Sequence, residues 1–244
     1  MSRDHRRIQL APAYILHHRP YRDTSRILEV LTRDHGKLSL FARGVRGPKA
    51  KLASAMQPFQ LLLVSWSGRG EAPQLTGAES AQSAAPLPAT CLMGAFYLNE
   101  LLLKLTTRHD PLPGLFEDYH AALEGLRAGD SLELRLRIFE KRLLETLGYG
   151  LELTVEAQTG RPIEPNGYYH FRAAQGLFPT VADAAGAMAG HSLISLAAEQ
   201  LAGVRELDDA RRLLKAALAE CLEGRELTTR AVAKSLARRG ELHK

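Results

Sequence analysis

The hydrophobic period of the chain changes once, near residue 85, and this change limits the possible folds more than any other feature. Before it, short apolar runs alternate with turns rich in Gly, Pro and Asp over residues 10–80. The five runs are AYILHH, SRILEVLT, GKLSLFAR, FQLLLVSW and PQLTGAE. Five short strands in one small segment predict a closed OB-fold barrel, and their spacing leaves an SH3-like barrel open as the alternative.

After the small, Pro-containing stretch SAQSAAPLPAT the period becomes helical. Asp130 with Glu133 forms a capping-box pattern at the start of the clearest helix. A turn-rich stretch at 151–190 predicts an irregular or hairpin insertion. The predicted helices cover about 90–107, 114–126, 130–147, 192–202, 208–223 and 226–239. We therefore predict an α+β protein, with an OB-fold domain at 1–80 and a helical domain at 81–244 that carries the insertion.

Charge is concentrated at the beginning of the chain. Residues 1–52 hold 12 lysines and arginines against 4 acids, a net charge of +8, whereas the whole chain of 244 residues sums to +5. A basic module on a slightly acidic remainder favours a polyanionic partner, most often nucleic acid. A soluble basic surface without any partner is the alternative.

The third predicted strand brings part of this charge onto one face. Strand alternation places Lys37, Ser39, Phe41 and Arg43 opposite the apolar Leu38, Leu40 and Ala42. Cations beside an aromatic ring are typical of a platform for single-stranded nucleic acid. Phe41 is also compatible with packing under the loop that follows.

That loop, in FARGVRGPKAK, adds three more cations and no acid. Two neighbouring turns, HRPYRDTS and SGRGEAP, contribute further arginines. Such residues bind backbone phosphates without reading sequence. The residues predicted to contact a nucleic acid are Arg22, Arg26, Lys37, Arg43, Arg46, Lys49, Lys51 and Arg69.

Little in the sequence indicates catalysis. The chain lacks a phosphate-binding loop, a nucleophile elbow and a His-Glu-x-x-His pair, and the adjacent His17 and His18 would face opposite sides of a strand. The two cysteines lie far apart and suggest no metal site. Without a run of about 18 apolar residues or a secretory signal, we expect a cytoplasmic protein that is not an enzyme and spans no membrane.

The helix at 130–147 carries a second basic feature. Arg137, Lys141 and Arg142 border its apolar stripe, and a basic rim beside an apolar groove suits a short acidic, hydrophobic peptide. A solvated helix face, paired with neighbouring glutamates, is the alternative.

The order of these segments resembles the RecO family of bacterial recombination mediators. The similarity lies in RPYRDTSRIL, T-x-x-x-G-K-L, ARGVRGPK, QPFQLLL and GRGE, continues through YLNELLLKL, LRIFEKRLLETLGYG and TGRPI, and reaches LTTR near the end. The resemblance implies an OB-fold followed by a helical domain. It also implies binding and annealing of single- and double-stranded DNA, and cooperation with RecR in loading RecA in the RecF pathway.

The same resemblance implies a protein partner for the helical domain. RecO proteins bind the acidic C-terminal tail of single-stranded-DNA-binding protein, and Arg137, Lys141 and Arg142 are the residues predicted to receive it here. An RNA-binding OB-fold protein and a scaffold without nucleic acid are the competing functions.

The chain departs from the family pattern at one place. Many RecO relatives carry a four-cysteine zinc site after the LGYG segment, but here Glu156 and Thr159 stand where the first Cys-x-x-Cys would fall. A zinc site needs thiolate or imidazole ligands. We therefore expect no structural zinc and no other cofactor.

Overall fold

The computed structural model describes residues 7–45, 57–82, 84–112, 114–229 and 231–232. The chain divides into two compact units. One comprises Met1–Arg127 with Leu227–Lys244, and the other comprises Ala128–Glu226.

The first unit contains a closed five-stranded barrel with strand order β1-β2-β3-β5-β4, in which only the β3–β5 pair is parallel. This confirms the predicted OB-like architecture and the α+β class. β2 covers the predicted SRILEVLT run from end to end. The strands are β1 Arg7–Tyr21, β2 Ser25–Thr32, β3 Gly36–Ala42, β4 Leu62–Ser67 and β5 Gln74–Ser80.

Alternate residues of each strand fill the barrel. On β3 these are Leu38, Leu40 and Ala42, as the alternation predicted, and each is buried. Burying one such leucine contributes roughly 1.5–3 kcal/mol. The barrel core is completed by Ala11, Ala13, Ile15, Leu28, Val30, Val45, Leu62, Val64, Trp66 and Leu75.

Two helices cover the outer face of β1 within the same unit. They are α1 Leu92–Leu105, which follows a short 3-10 turn at Ala89–Cys91, and α2 Leu115–Ala128. Tyr14 of β1 is fully buried and its ring lies 5.0 Å from that of Tyr119. The Asn99 side-chain amide donates to the Leu16 carbonyl at 2.9 Å. Both faces of β1 are therefore buried, which explains its long apolar run.

The second unit combines helices with a small sheet of order β7-β6-β8. The predicted insertion contains a hairpin, β6–β7, whose register pairs His170 with Phe178. The elements are α3 Leu132–Thr146, β6 Tyr168–Arg172, β7 Gly176–Thr180, β8 Met188–Ala189, α4 Gly190–Ala197 and α5 Val204–Cys221.

The beginning of α3 differs from the predicted capping box. Ser131 is the N-cap, and its hydroxyl accepts a hydrogen bond from the Leu134 amide at 3.4 Å. Asp130 instead pairs with Arg135. Most of the last predicted helix, at 226–239, lies outside the described residues.

Candidate nucleic-acid interface

Three of the predicted DNA-binding arginines lie at one end of the barrel. Arg22 occupies the turn between β1 and β2, and Arg43 directly follows β3. Arg26 of β2 pairs in register with Ala42 at the end of β3. Antiparallel pairing thus brings all three to the same edge. Arg22 and Arg43 are exposed and Arg26 is half-buried.

Two aromatic rings lie among these arginines. Tyr21, which ends β1, is 40% exposed, and its ring contacts the half-buried Phe41 edge-on at 5.6 Å. The Arg22 guanidinium lies 5.5 Å from the centre of the Tyr21 ring. Phe41 therefore packs beside Tyr21 while part of it stays accessible. We call Tyr21, Arg22, Arg26, Phe41 and Arg43 the turn cluster.

One cation of the turn cluster, Arg26, acts on a neighbouring histidine of β1. Burial, followed by the charge of Arg26, lowers the pKa of His18. The Nε of Arg26 is buried, and no hydrogen-bond partner for it occurs among the described residues. Within that same set Arg43 makes no ion pair. Cations arranged in this way can neutralise phosphates while the rings offer a surface to bases.

Lys37 does not belong to this surface, and its predicted exposure is wrong. The side chain is buried, and its ammonium donates to the carbonyls of Leu103 at 2.7 Å and Thr106 at 2.5 Å. These carbonyls end α1, where a cation offsets the helix dipole and satisfies acceptors that lack a partner in the helix. Lys37 therefore joins the barrel to α1.

Ser39 is likewise covered. Arg108 donates to the Ser39 hydroxyl at 2.5 Å and pairs with Glu29 of β2 at 2.8 Å. The outer face of β3 is exposed to solvent only toward its end, so the predicted four-residue platform is reduced to Phe41 and Arg43. The sequence could not show this, because the covering residues come from more than sixty positions away.

Arg69 lies apart from the turn cluster. It occupies the turn between β4 and β5 and lines a cavity together with His35 and Leu38, at the beginning of β3. Arg43 follows the other end of that seven-residue strand, a length of about 20 Å. The remaining predicted cations, Arg46, Lys49 and Lys51, lie outside the described residues.

The predicted tail-binding residues on α3 are all engaged in ion pairs. Arg137 is buried and pairs with the fully buried Glu140 at 3.0 Å, so an incoming carboxylate would not reach it directly. Arg142, with 38% of its side chain exposed, pairs with Glu199 at 2.6 Å.

Lys141 shares Glu199 with Arg142, at 3.1 Å, and also pairs with Glu145. Burial lowers the pKa of Lys141, but its hydrogen bonds to the two glutamates outweigh burial and raise it. Hydrogen bonding from Arg142 lowers the pKa of Glu199. Lys141, Arg142 and Glu199 therefore form a stable, fully ionised cluster.

The stretch that departs from the zinc-binding pattern is a closed turn. The Glu156 amide donates to the Arg161 carbonyl at 2.8 Å, and the Thr159 hydroxyl donates to the Glu156 carboxylate at 2.5 Å. No group of three His, Cys, Asp or Glu side chains that could hold a metal occurs in the described part of the chain. The turn at Glu156 and Thr159 is held by hydrogen bonds. The expected lack of zinc stays a prediction.

Comparison with known proteins identifies the family. The family described as recombination protein O N terminal matches residues 7–84, and that described as recombination protein O C terminal matches residues 90–240. The chain belongs to the RecO family. The resemblance inferred from sequence is thereby confirmed.

Several relatives are named DNA repair protein RecO. That of Methylococcus capsulatus is 44% identical over 232 residues, covering 95% of this chain and 96% of the relative. That of Nitrosococcus oceani is 42% identical, covering 97% of each chain. That of Photobacterium profundum is 36% identical, covering 91% of this chain and 94% of the relative.

The two RecO family segments and the two compact units divide the chain at different places. The family segments are divided between residues 84 and 90, whereas the chain passes from the first unit to the second after Arg127 and returns to the first after Glu226. The difference arises because α1 and α2 belong to the C-terminal family segment but pack on the barrel. Among the described helices of this RecO member, none has the length and hydropathy needed to cross a membrane.

Proposed function

We propose that this RecO member is a DNA-binding protein of DNA repair that acts without catalysing a reaction. The observation that carries the proposal is the turn cluster, in which three arginines and two aromatic rings meet at one edge of the barrel. Its arginines neutralise backbone phosphates, and Tyr21 with Phe41 contacts bases of an unpaired strand.

The charge of the whole unit supports this assignment. Residues 1–127 and 227–244 sum to +9, whereas residues 128–226 sum to −4. A strand drawn to the first unit releases condensed counterions, so its affinity falls as salt rises. Binding of this kind brings two polyanionic strands together on one cationic surface, and the protein would thereby promote annealing of complementary strands.

Membership of the RecO family extends the proposal to partners. The protein would act with RecR and help RecA replace single-stranded-DNA-binding protein on single-stranded DNA. The acidic tail of the latter protein would bind the Lys141–Arg142 cluster. Arg142 is the most exposed of the three predicted residues and is therefore the one we expect to meet a carboxylate first, whereas Arg137 is buried.

Salt titration of single-strand binding tests the DNA-binding proposal. Changing Arg22 and Arg43 to Gln removes two exposed cations of the turn cluster. The slope of log affinity against log salt should then become shallower by about 1.4, because each phosphate contact on a single strand contributes about 0.7. The measurement is fluorescence anisotropy of a labelled oligonucleotide at several salt concentrations.

The matched control changes Arg161 and Lys215, two exposed cations of the second unit, to Gln. It removes the same charge and should leave the slope unchanged. Equal losses from both pairs would mean that only net charge matters, and an unaltered slope in the turn-cluster variant would refute the interface. Preference for RNA of the same sequence would favour the RNA-binding alternative, and absence of any binding would favour a scaffold.

A further inference from the structure

The barrel contains a cavity that the turn cluster does not use. Its volume is about 570 Å³, within the range of roughly 300–1,000 Å³ that small-molecule sites occupy. It opens between the start of β1, the β2–β3 turn and the β4–β5 turn. Its lining residues are Ile8, His35, Leu38, Trp66, Gly68, Arg69, Gly70, Pro73 and His109.

One side of the cavity is apolar and aromatic. Trp66 belongs to the barrel core and is 6% exposed, so it offers only a small part of its ring. His35 is half-buried and meets Trp66 edge-on, with ring centres 5.2 Å apart. Leu38 and Ile8 extend this wall. A flat, partly apolar ring fits such a wall, and His35 is of a residue type on which unpaired bases stack.

The rim of the cavity carries hydrogen-bond donors and positive charge. Arg69 and His109 are both exposed and line the cavity. His109 has a left-handed backbone with φ 57°, held by its amide donating to the Lys37 carbonyl at 2.8 Å. Gly68 and Gly70 have φ of 112° and 96° and allow the tight turn that presents Arg69. The rim therefore has a defined geometry on both sides.

We propose that this cavity takes one unpaired nucleobase of the bound strand, with the adjoining phosphate beside Arg69. The inference rests on the proposed DNA binding and gives it a second contact point. The base lies along the wall that the half-buried His35 and Ile8 form, with Leu38 beneath it; His109 hydrogen-bonds its polar edge, and the Arg69 guanidinium contacts the phosphate. A duplex keeps its bases stacked and cannot enter, so the cavity favours single strands.

The single tryptophan of the chain makes the test direct. Because Trp66 is the only tryptophan, its emission reports on the cavity wall. The protein is titrated with a short oligothymidylate and with an oligomer of equal length whose nucleotides are all abasic. Anisotropy of a label on either oligomer measures binding, and emission measures entry of a base. We expect the base-bearing oligomer alone to change Trp66 emission.

Variants connect the emission change to the cavity. His35→Ala should reduce the affinity for the base-bearing oligomer about tenfold, as expected for one lost stacking contact, and should leave abasic binding unchanged. Arg22→Gln is the matched control. It should weaken the binding of both oligomers equally and leave the emission change at saturation intact.

The outcomes separate this inference from the proposed function. If anisotropy shows saturation but Trp66 emission stays constant, or if the abasic oligomer changes it equally, the cavity is not a base site although DNA binding stands. If neither oligomer binds, the proposed function fails, and titration with thymidine monophosphate decides the cavity separately. A change in Trp66 emission that saturates with the mononucleotide and is absent in His35→Ala would support the base site. Emission that stays constant with the mononucleotide would overturn it.

Discussion

The two compact units use their cations in different ways. In the second unit arginines face carboxylates within the same unit, as in Arg135–Asp130, Arg142–Glu199 and Arg211–Asp208. In the first unit two ion pairs join the barrel to the segments packed on it, Arg33–Glu117 and Arg108–Glu29, and two others lie within α1 and α2. The turn cluster lies away from those pairs.

This difference shows why a count of basic residues is a poor guide to an interface. Both units contain many arginines, but exposed ion pairs of the second unit neutralise each other locally and contribute little to a long-range field. Cations that are buried as helix caps, such as Lys37, are equally unable to contact a ligand. Within the part of the chain that the structure describes, the exposed cations of the turn cluster and of the β4–β5 turn are the ones grouped at the ends of the barrel, where a polyanion could meet them.

The largest effect should come from breaking the connection between the barrel and its helices. Gly36 begins β3 with φ 64°, and a Cβ there would lie 2.6 Å from the carbonyl carbon of Asp110. Gly36→Ala would combine backbone strain with a clash against main chain, and we expect it to lower the free energy of unfolding by about 4 kcal/mol. Urea denaturation followed by Trp66 emission measures the loss.

Gly44 provides a matched control for Gly36. It has nearly the same φ, 67°, but nothing lies within 4 Å of the position of a Cβ. Gly44→Ala should therefore carry only the backbone strain, about 1 kcal/mol. If the two alanine variants are equally stable, the segment at 108–110 does not pack tightly against β3, and the barrel and helices of the first unit are less firmly joined than the structure indicates.

A somewhat smaller effect is expected when the ammonium of Lys37 is removed. Lys37→Met keeps the length of the side chain but leaves the α1 carbonyls without a donor, and we expect a loss of about 3 kcal/mol of stability. The salt dependence of single-strand binding should stay unchanged, because this lysine is buried.

Arg43→Met should behave in the opposite way. Arg43 is exposed, so its replacement should change stability by less than about 0.5 kcal/mol and lower the salt slope by about 0.7. A lowered slope in Lys37→Met, measured under conditions where the variant is folded, would return Lys37 to the DNA-binding set.

Lys37 also shows how far the sequence could be interpreted. The alternation of GKLSLFA correctly predicted a strand and the three residues that it buries in the barrel, because alternation is a local property of the backbone. What covers the opposite face depends on α1 and on Arg108, which are far away in the sequence. Exposure of a polar residue on a strand could therefore not be predicted from the strand alone.

The candidate site shows the same limit. Arg22, Arg26 and Arg43 were predicted from local turns and strand ends, and the antiparallel pairing of β1, β2 and β3 brings them together. Tyr21 was missed, although its position between Pro20 and Arg22 in HRPYRD was a usable signal of an exposed ring beside a cation. The ion pair between Arg142 and Glu199 had no local signal in the sequence, because Glu199 follows α4 and lies 57 residues further along the chain.

The contact between Glu100 and residues 228–229 predicts a loss of stability of intermediate size. Glu100 of α1 accepts hydrogen bonds from the amides of Thr228 at 2.7 Å and Thr229 at 2.9 Å. Burial alone would raise the pKa of Glu100, but these bonds and that of the Thr229 hydroxyl outweigh it and lower the pKa to about 2. Glu100→Gln should cost about 2 kcal/mol at neutral pH.

The lowered pKa of Glu100 also predicts how its contribution to stability changes with pH. Because the folded pKa lies below the unfolded value of 4.5, the stabilisation is complete above that value and is lost as pH falls toward about 2. The difference in stability between wild type and Glu100→Gln should shrink over this window. A difference that is independent of pH would mean that residues 227–229 are not held to the first unit by this carboxylate.

Glu206 of the second unit is the corresponding control. It accepts from the amides of Ala202 at 2.8 Å and Gly203 at 3.0 Å at the start of its own helix, α5, and from the Ser195 hydroxyl of the neighbouring α4 at 3.1 Å, so all its bonds lie within about eleven residues. Glu206→Gln should cost about 1 kcal/mol, the usual contribution of a local cap. A larger loss than that of Glu100→Gln would contradict the special role given to the long-range contact.

A small effect on stability, and the most informative one for the second unit, is expected at Glu199. Glu199→Gln removes the charge that Lys141 and Arg142 share, and because the cluster is partly exposed it should cost about 1 kcal/mol. The two cations then lack their carboxylate, so a peptide with an acidic, Phe-ending tail should bind several-fold more tightly, as isothermal titration calorimetry would show.

Asp208→Asn is the matched control, because it removes an equal charge beside Arg211 and Arg212 and should leave peptide affinity unchanged. If both variants raise the affinity alike, the peptide responds to the net charge of the unit; if neither does, Arg142 is not its binding site.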